Sequence, residues 1–412
     1  MSGAARLSSV DLFAGAGGLT LGLQRTGFDT LLANDNWRPA VDTLRHNFGE
    51  AAVEAACVRE LTGACVLARA GGVTPSLVAG GPPCQGFTSA GARRADDLRN
   101  TLVGEFARLV AEVRPRWFLF ENVEGMLTAA DGDFVIDLLD GVLDGGYSVR
   151  LRKVNVANYG AAQLRKRVIA IGTLGADPGF PDPSHRAYGA PGALTGSTAS
   201  LPPAPTVADA LAGLGEPARC ADRANVQGHV AASVSESDAR RFGLLEPGQT
   251  MRDLPEELQH HSYARRANRR VSDGMPSERR GGAPAGIRRL LADEPSKAIT
   301  SAASREFVHP TQDRCLTLRE CARLQGFPDG FEFSGSRSDQ AILIGNAIPP
   351  PFAELLGGWI ADRVRSGLLC ADESPRLHEF HVTNGSGSSP ALSRVTERVN
   401  ARYQIGAVPL WR

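Results

Sequence analysis

VDLFAGAGGLTLGL, residues 10–23, decides the fold. Leu7 to Phe13 reads as a strand, Phe13-Ala14-Gly15-Ala16-Gly17-Gly18 as a glycine-rich turn, and Leu19 to Thr26 as the helix that follows. Such a turn lets a ligand lie against bare backbone beside a helix N-terminus. Nucleotide, flavin and methyl-donor enzymes all use one, and the spacing here fits the dinucleotide fingerprint poorly. The second strand, Phe28 to Ala33, ends at Asn34-Asp35-Asn36, where a carboxylate would meet a ribose diol; a helix N-cap is the plainer use of that acid.

Outward from this unit, short apolar strands alternate with helical patterns, the α/β signature. Helices are expected at Pro39 to Phe48, Leu102 to Val113 and Asp133 to Leu143. Strands are expected at Ser76 to Ala79, Trp117 to Phe120, Tyr147 to Val156 and Val168 to Gly172. The class is a doubly wound, Rossmann-like mixed α/β sheet with a small, loop-rich second domain. The expected division is 1–175 for the first part of the large domain and 176–330 for the second domain. Residues 331–370 return to the large domain, and 371–412 form a mobile extension that includes NGSGSSP. LTLRECARLQGFP (316–328) reads as a helix with a Gly-Phe-Pro stop. AILIGNAIPPPFAELLGGWIADRV supplies a strand-like run, a Gly-Asn turn and a Pro-started helix.

The chain has 412 residues, no net charge and seven cysteines, none of them in a Cys-x-x-Cys pair. Neither a disulfide framework nor a metal site is indicated. No apolar run suits a membrane span and the N-terminus lacks a signal-peptide core, so a cytoplasmic protein is expected. Eight arginines fall between His260 and Leu290 against only Asp273 and Glu278, a candidate phosphate-contacting surface.

GGPPCQGF (80–87) fixes the backbone before Cys84 with prolines and frees it afterwards with glycine. A cysteine that merely packs needs neither device. Trp117-Phe118-Leu119-Phe120 delivers Glu121 to the same sheet edge, where a desolvated carboxyl suits proton exchange near neutrality, while Asn122 suits capping. In QLRKR, Gln163, Arg165 and Arg167 share one face at strand spacing; a base edge and a phosphate would suit them, and a solvated charge ladder is the alternative.

DLFAGAGG, GGPPCQGF, ENVEGM, QLRKR, RECARLQGFPD and IGNAIPP, in this order, resemble the DNA cytosine-5 methyltransferases. The match covers most of residues 7–173 and 313–356, and 174–312 corresponds to the family's variable target-recognition domain. The resemblance implies methyl transfer from S-adenosylmethionine to carbon-5 of a cytosine flipped out of duplex DNA. It implies Cys84 as the thiolate that adds to carbon-6, Glu121 as the group holding the ring nitrogen and amine, and Arg165 as the group holding the base and orienting Glu121. Gln85, Ser89, Asn122, Gln163 and Arg167 would support the base or the DNA, with Gln85 to Leu98 as a closing lid. Phe13, Gly15, Ala16, Gly18, Asp35, Asn36, Val58, Pro83 and Asn346 would line the methyl donor. The expected partners are double-stranded DNA, bound by a monomer, and a cognate restriction endonuclease unless the enzyme is an orphan; methylation of tRNA cytosine and a non-catalytic DNA-binding relative are the alternatives. Arg305 and the loops around Ser272 to Gly286 are candidates for base readout.

In one place the chain departs from the family pattern. Cys57 stands where an aspartate usually meets the adenine amino group. Cys57→Asp is therefore expected to tighten S-adenosylmethionine binding, read by titration calorimetry.

Overall fold

The computed structural model describes residues 7–83, 102–186, 200–220, 224–260, 286–367, 374–382 and 390–405. The large sheet has eight strands: β1 (Ser8–Leu12), β2 (Asp29–Asp35), β3 (Val53–Ala55), β4 (Leu77–Gly80), β5 (Trp117–Val123), β6 (Tyr147–Asn155), β8 (Lys166–Leu174) and β12 (Leu377–His381). Two-residue strands form separate parallel pairs, β7 (Gln163–Leu164) with β10 (Ser296–Lys297), and β9 (Arg288–Arg289) with β11 (Phe307–Val308). The large sheet runs β12-β6-β8-β5-β4-β1-β2-β3. All its pairings are parallel except those of β8, which is antiparallel to both β5 and β6.

Every residue of β1 is buried, as a strand covered on both faces requires. On one face, Phe106 and Val110 of α4 (Leu102–Val113) and Leu138 and Leu139 of α5 (Asp133–Asp144) pack on Phe118, Phe120 and Leu151. On the other, Leu19 and Leu23 of α1 (Gly18–Arg25) join Phe352 and Leu356 of the Pro350–Ser366 helix over Leu119 and Ile171. These two helices nearly touch: a Cβ on Gly22 would lie 2.4 Å from that of Ala353. This is the doubly wound mixed α/β fold. Because β1 lies between β2 and β4, the chain leaves it in opposite directions, and the carboxyl ends of β1, β2, β4 and β5 open on one crevice.

Two expectations need correction. Ala341 to Gly345 are not strand-like; they belong to the Arg337–Asn346 helix, which a capping box between Ser336 and Asp339 starts. Residues 371–412 are not merely an extension. β12 adds a parallel strand to β6, and the Pro390–Tyr403 helix inserts Leu392, Val395 and Val399 into the core beside α5. The tail is held by charge as well. Glu379 accepts from Arg150 (2.7 Å) and Arg152 (2.7 Å), Arg150 also donates to Asp177, and Arg402 donates to Asp140.

The second-domain segments divide. Phe242, Leu245, Met251, Leu254 and Val308 form a small cluster of their own. Leu316 to Phe333 instead pack with Ala16, Ala40, Ile344 and Ala347. No helix among the described residues is long and apolar enough to cross a membrane.

Burial alone would raise the Glu379 carboxyl, but Arg152 and Arg150 hold it below its usual range. A depressed carboxyl contributes stability that is complete above its unfolded value of about 4.5 and lost as pH falls through the folded one. Glu379→Gln should therefore be less stable than the natural chain at pH 6, with the gap narrowing toward pH 3, in urea unfolding.

Candidate active site at the carboxyl edge of the sheet

The glycine turn is held from behind by β2. Ala14 N donates to Asn34 O (2.8 Å), Gly15 N to Asp35 Oδ2 (2.9 Å), and Trp37 N to Asp35 Oδ1 (2.9 Å). Phe13 (φ 58°), Gly15 (φ 57°) and Gly17 (φ 83°) all take left-handed backbone, which is costly for Phe13 and free for glycine. A Cβ on Gly15 would meet nothing within 4 Å, whereas one on Gly18 would lie 2.1 Å from Ile348 O. The two glycines thus do different work: Gly15 borders open space, and Gly18 lets α1 close on the returning chain. Ala16 is buried in that closure. Open space beside Gly15, next to a carboxylate with lone pairs to spare, fits an adenosine-bearing ligand.

Burial raises the Asp35 carboxyl, against the pull of its bonds from Trp37 and Gly15. Asn36 is exposed, while Trp37 packs partly buried against the Ala16–Ala40 cluster. Val58 is buried at the start of a 3-10 turn, Cys57 is half-buried before it, and Asn346 ends its helix exposed.

At β5, Glu121 is buried and Arg167 Nε lies 2.5 Å from its Oε1. A Cβ on Gly81 would approach Glu121 Oε2 to 2.8 Å, so this glycine admits the carboxylate beside the strand-to-loop turn. Asn122 donates to Pro82 O (3.3 Å) and accepts from Val123 N (2.8 Å). It ties the Pro82-Pro83 arm to the strand rather than capping a helix. Pro83 is exposed at the end of that arm; Cys84, Gln85 and Ser89 lie outside the described residues.

Both arginines act on Glu121: Arg167 approaches its carboxylate directly, and Arg165 acts on it through charge. β7 stops at Leu164 and β8 begins at Lys166, so Arg165 falls in the break between them. Its Nη1 donates to Ile299 O (2.6 Å) and Nη2 to Gly345 O (2.9 Å), and burial lowers its pKa. Gln163 is fully buried and also turned inward, donating to Leu324 O and Gln325 Oε1 and accepting from Ile299 N. Gln163 is thus committed at both amide atoms, whereas Arg165 Nε is buried without a hydrogen-bond partner. Arg289, one of the eight clustered arginines, is likewise internal, donating to Leu245 O, Phe242 O and His309 O. Arg265, Arg266, Arg269, Arg270, Arg279 and Arg280 lie outside the described residues. Arg305 is exposed.

Sequence reasoning passed over Asp11 and Arg319. Asp11 is buried beneath the turn, its Oδ2 accepting from Thr20 Oγ1 (2.6 Å). Arg319 looks like a surface charge in RECARLQGFPD but donates inward to the carbonyls of Gln227, Pro328 and Phe331. The signal for Asp11 was an acid inside a strand otherwise without charge.

Residues 7–361 match the family described as C-5 cytosine-specific DNA methylase, and the chain belongs to it. It is 32% identical over 354 residues to the type II methyltransferase M1.HphI of Haemophilus parahaemolyticus, covering 85% of each chain. It is 30% identical over 432 residues to the type II methyltransferase M.AgeI of Thalassovita gelatinovora, covering 87% of this chain and 99% of that one. A crystal structure of a prophage-encoded E. coli protein described as a DNA modification methyltransferase superposes with a TM-score of 0.65 at 25% identity, over 86% of this chain and 99% of that one. The chain is thus an enzyme of the cytosine-5 DNA methyltransferase class, and that class uses S-adenosylmethionine.

Burial pushes the Asp11 carboxyl from 3.8 up to about 7, with a smaller push from Asp35. A raised carboxyl costs the fold stability as pH climbs through that window. Asp11→Asn should therefore gain stability relative to the natural chain between pH 5 and pH 8, read by urea unfolding without ligand. Arg165→Gln is expected to destabilise by roughly 3 kcal/mol or more in the same measurement, because it strips hydrogen bonds from two buried carbonyls.

Proposed function

We propose that this enzyme methylates carbon-5 of a cytosine flipped out of duplex DNA, through a covalent adduct with Cys84. The observation that carries the reading is the buried Glu121–Arg167 pair, set against Gly81 and tethered through Asn122 to the arm that leads to Cys84. Bound S-adenosylmethionine supplies the methyl group as an electrophile. Phe13, Gly15, Ala16, Gly18, Asp35, Asn36, Val58, Pro83 and Asn346 would hold it, with Asp35 as the acceptor for the ribose hydroxyls.

Carbon-5 of cytosine is a weak nucleophile. The Cys84 thiolate adds to carbon-6 and makes the ring an enamine, which can take the methyl group. Glu121 hydrogen-bonds the ring nitrogen and amine where charge develops, and Arg167 fixes Glu121 for that contact. Loss of the carbon-5 proton then restores the double bond and expels Cys84. Arg165, whose Nε is buried without a partner and which feels the charge of Glu121, holds the base, and Gln163 supports this segment from behind. Gln85 and Ser89 belong to the lid over the everted nucleotide. The unit built on Phe242, Met251 and Val308 reads the flanking sequence, with arginines of 265–280 on phosphates, which position without specifying. The type II relatives support a role in restriction and modification, opposite a cognate nuclease.

The test is covalent capture and methyl transfer with the full chain. Duplex DNA should accept methyl groups from S-adenosylmethionine and tRNA should not, with 5-methylcytosine located by bisulfite sequencing. A duplex carrying 5-fluorocytosine should be trapped. Cys84→Ser should abolish trapping and slow transfer by roughly 10³-fold or more, and Arg167→Gln should slow it by about 10²-fold or more. Undiminished transfer by Cys84→Ser would refute the mechanism.

A further inference from the structure

We infer that Asp11 is a proton-linked positioning residue of the donor site: binding of the sulfonium donor expels its proton, and binding of the thioether product does not. This rests on the donor-site reading above. Asp11 lies on β1 two residues before Phe13 and is 1% exposed. Its Oδ2 accepts from Thr20 Oγ1 at 2.6 Å, while its Oδ1 is buried without a partner. Thr20 is in the first turn of α1, whose N-cap, Gly17, has no side chain to offer. Asp11 supplies from the strand what the cap lacks, so its state of charge acts directly on the end of the glycine turn.

Two carboxylates therefore bracket the turn, Asp11 beneath it and Asp35 beside it. Among the described residues, Asp35 is the one charged group acting on Asp11. β4, on the other side of β1, is Leu-Val-Ala-Gly and carries none. Facing α1 offers only Thr20, because Arg25 sits at the far end of the helix and pairs with Glu354. Among the described residues nothing positive compensates Asp11. With its carboxyl near 7, about half of the molecules hold the proton at neutrality.

A fixed cation brought to the turn favours the ionised form. The donor carries one on sulfur. When the methyl group leaves, the S–CH₃ bonding pair returns to sulfur, the charge disappears, and Asp11 recovers its proton from solvent. Donor and product then differ at the protein by a proton as well as a methyl group, and product leaves a site that has lost its reason to stay ionised.

The test is titration calorimetry of the full chain with S-adenosylmethionine and with S-adenosylhomocysteine, at pH 7 in phosphate and in Tris, whose ionisation enthalpies differ. Donor binding should release about half a proton and product binding none. Donor affinity should fall by up to about tenfold per pH unit below 7. Asp11→Asn should erase the difference between the ligands. Thr20→Val keeps the carboxyl but removes a bond that favours its charged form, so maximal release should move to higher pH. Equal proton counts for both ligands, or a difference that survives Asp11→Asn, would overturn the inference alone. No heat with either ligand would overturn the donor-site reading and this inference with it.

Discussion

The structure depends on a corner of three residues, Gln163 to Arg165, where segments far apart in sequence are hydrogen-bonded through buried side chains. Arg165 reaches Ile299 and Gly345, 134 and 180 residues away, and Gln163 reaches Leu324, 161 residues away. Gln325 extends the contact to the carbonyls of Ile344 and Ala347. These bonds fix where the chain re-enters the large domain after its excursion. That re-entry sets Ile348 against Gly18, and so sets one wall of the glycine turn. A buried guanidinium with both terminal nitrogens committed to carbonyls leaves little freedom in how the halves meet.

Around this corner the site divides into a rigid part and a part it serves. Glu121, Asn122 and Gly81 are placed by the register of β4 and β5, in which Gly80 faces Phe120. Arg167 is placed by β8, whose antiparallel register sets it opposite Val123. Strand pairing therefore decides which arginine meets the carboxylate. The helix Leu318–Gln325 contributes no group to the crevice; its charged residues, Arg319, Glu320 and Arg323, are spent on internal bonds.

Much of this was legible in the sequence, and what was not has identifiable causes. β4 and β5 are apolar runs bounded by glycine or acid, and β1 runs straight into the glycine turn, so their ends and the residues delivered there could be read directly. Which guanidinium would approach the Glu121 carboxylate could not, because alternation gives both arginines the same face and only the strand register separates them. Ala341 to Gly345 look like strand by composition, and the Ser336–Asp339 box that makes them helix was in view but carries less weight than an Ile-Leu-Ile run. The tail was misjudged because Leu-His-Glu-Phe-His shows its purpose only beside Arg150 and Arg152, which sit on another strand.

That tail strand bears on how the molecule is made. Glu379 is synthesised 229 residues after Arg150, the partner it neutralises. Arg150 meets Asp177 only 27 residues later, but Arg152 has no carboxylate until Glu379 is made, and through that interval on the ribosome β6 is a bare sheet margin and the apolar side of α5 awaits its cover. Unpaired strand margins invite association with other nascent chains, and like charges along them discourage it. Arg152 thus guards the growing polypeptide until the segment that needs it arrives.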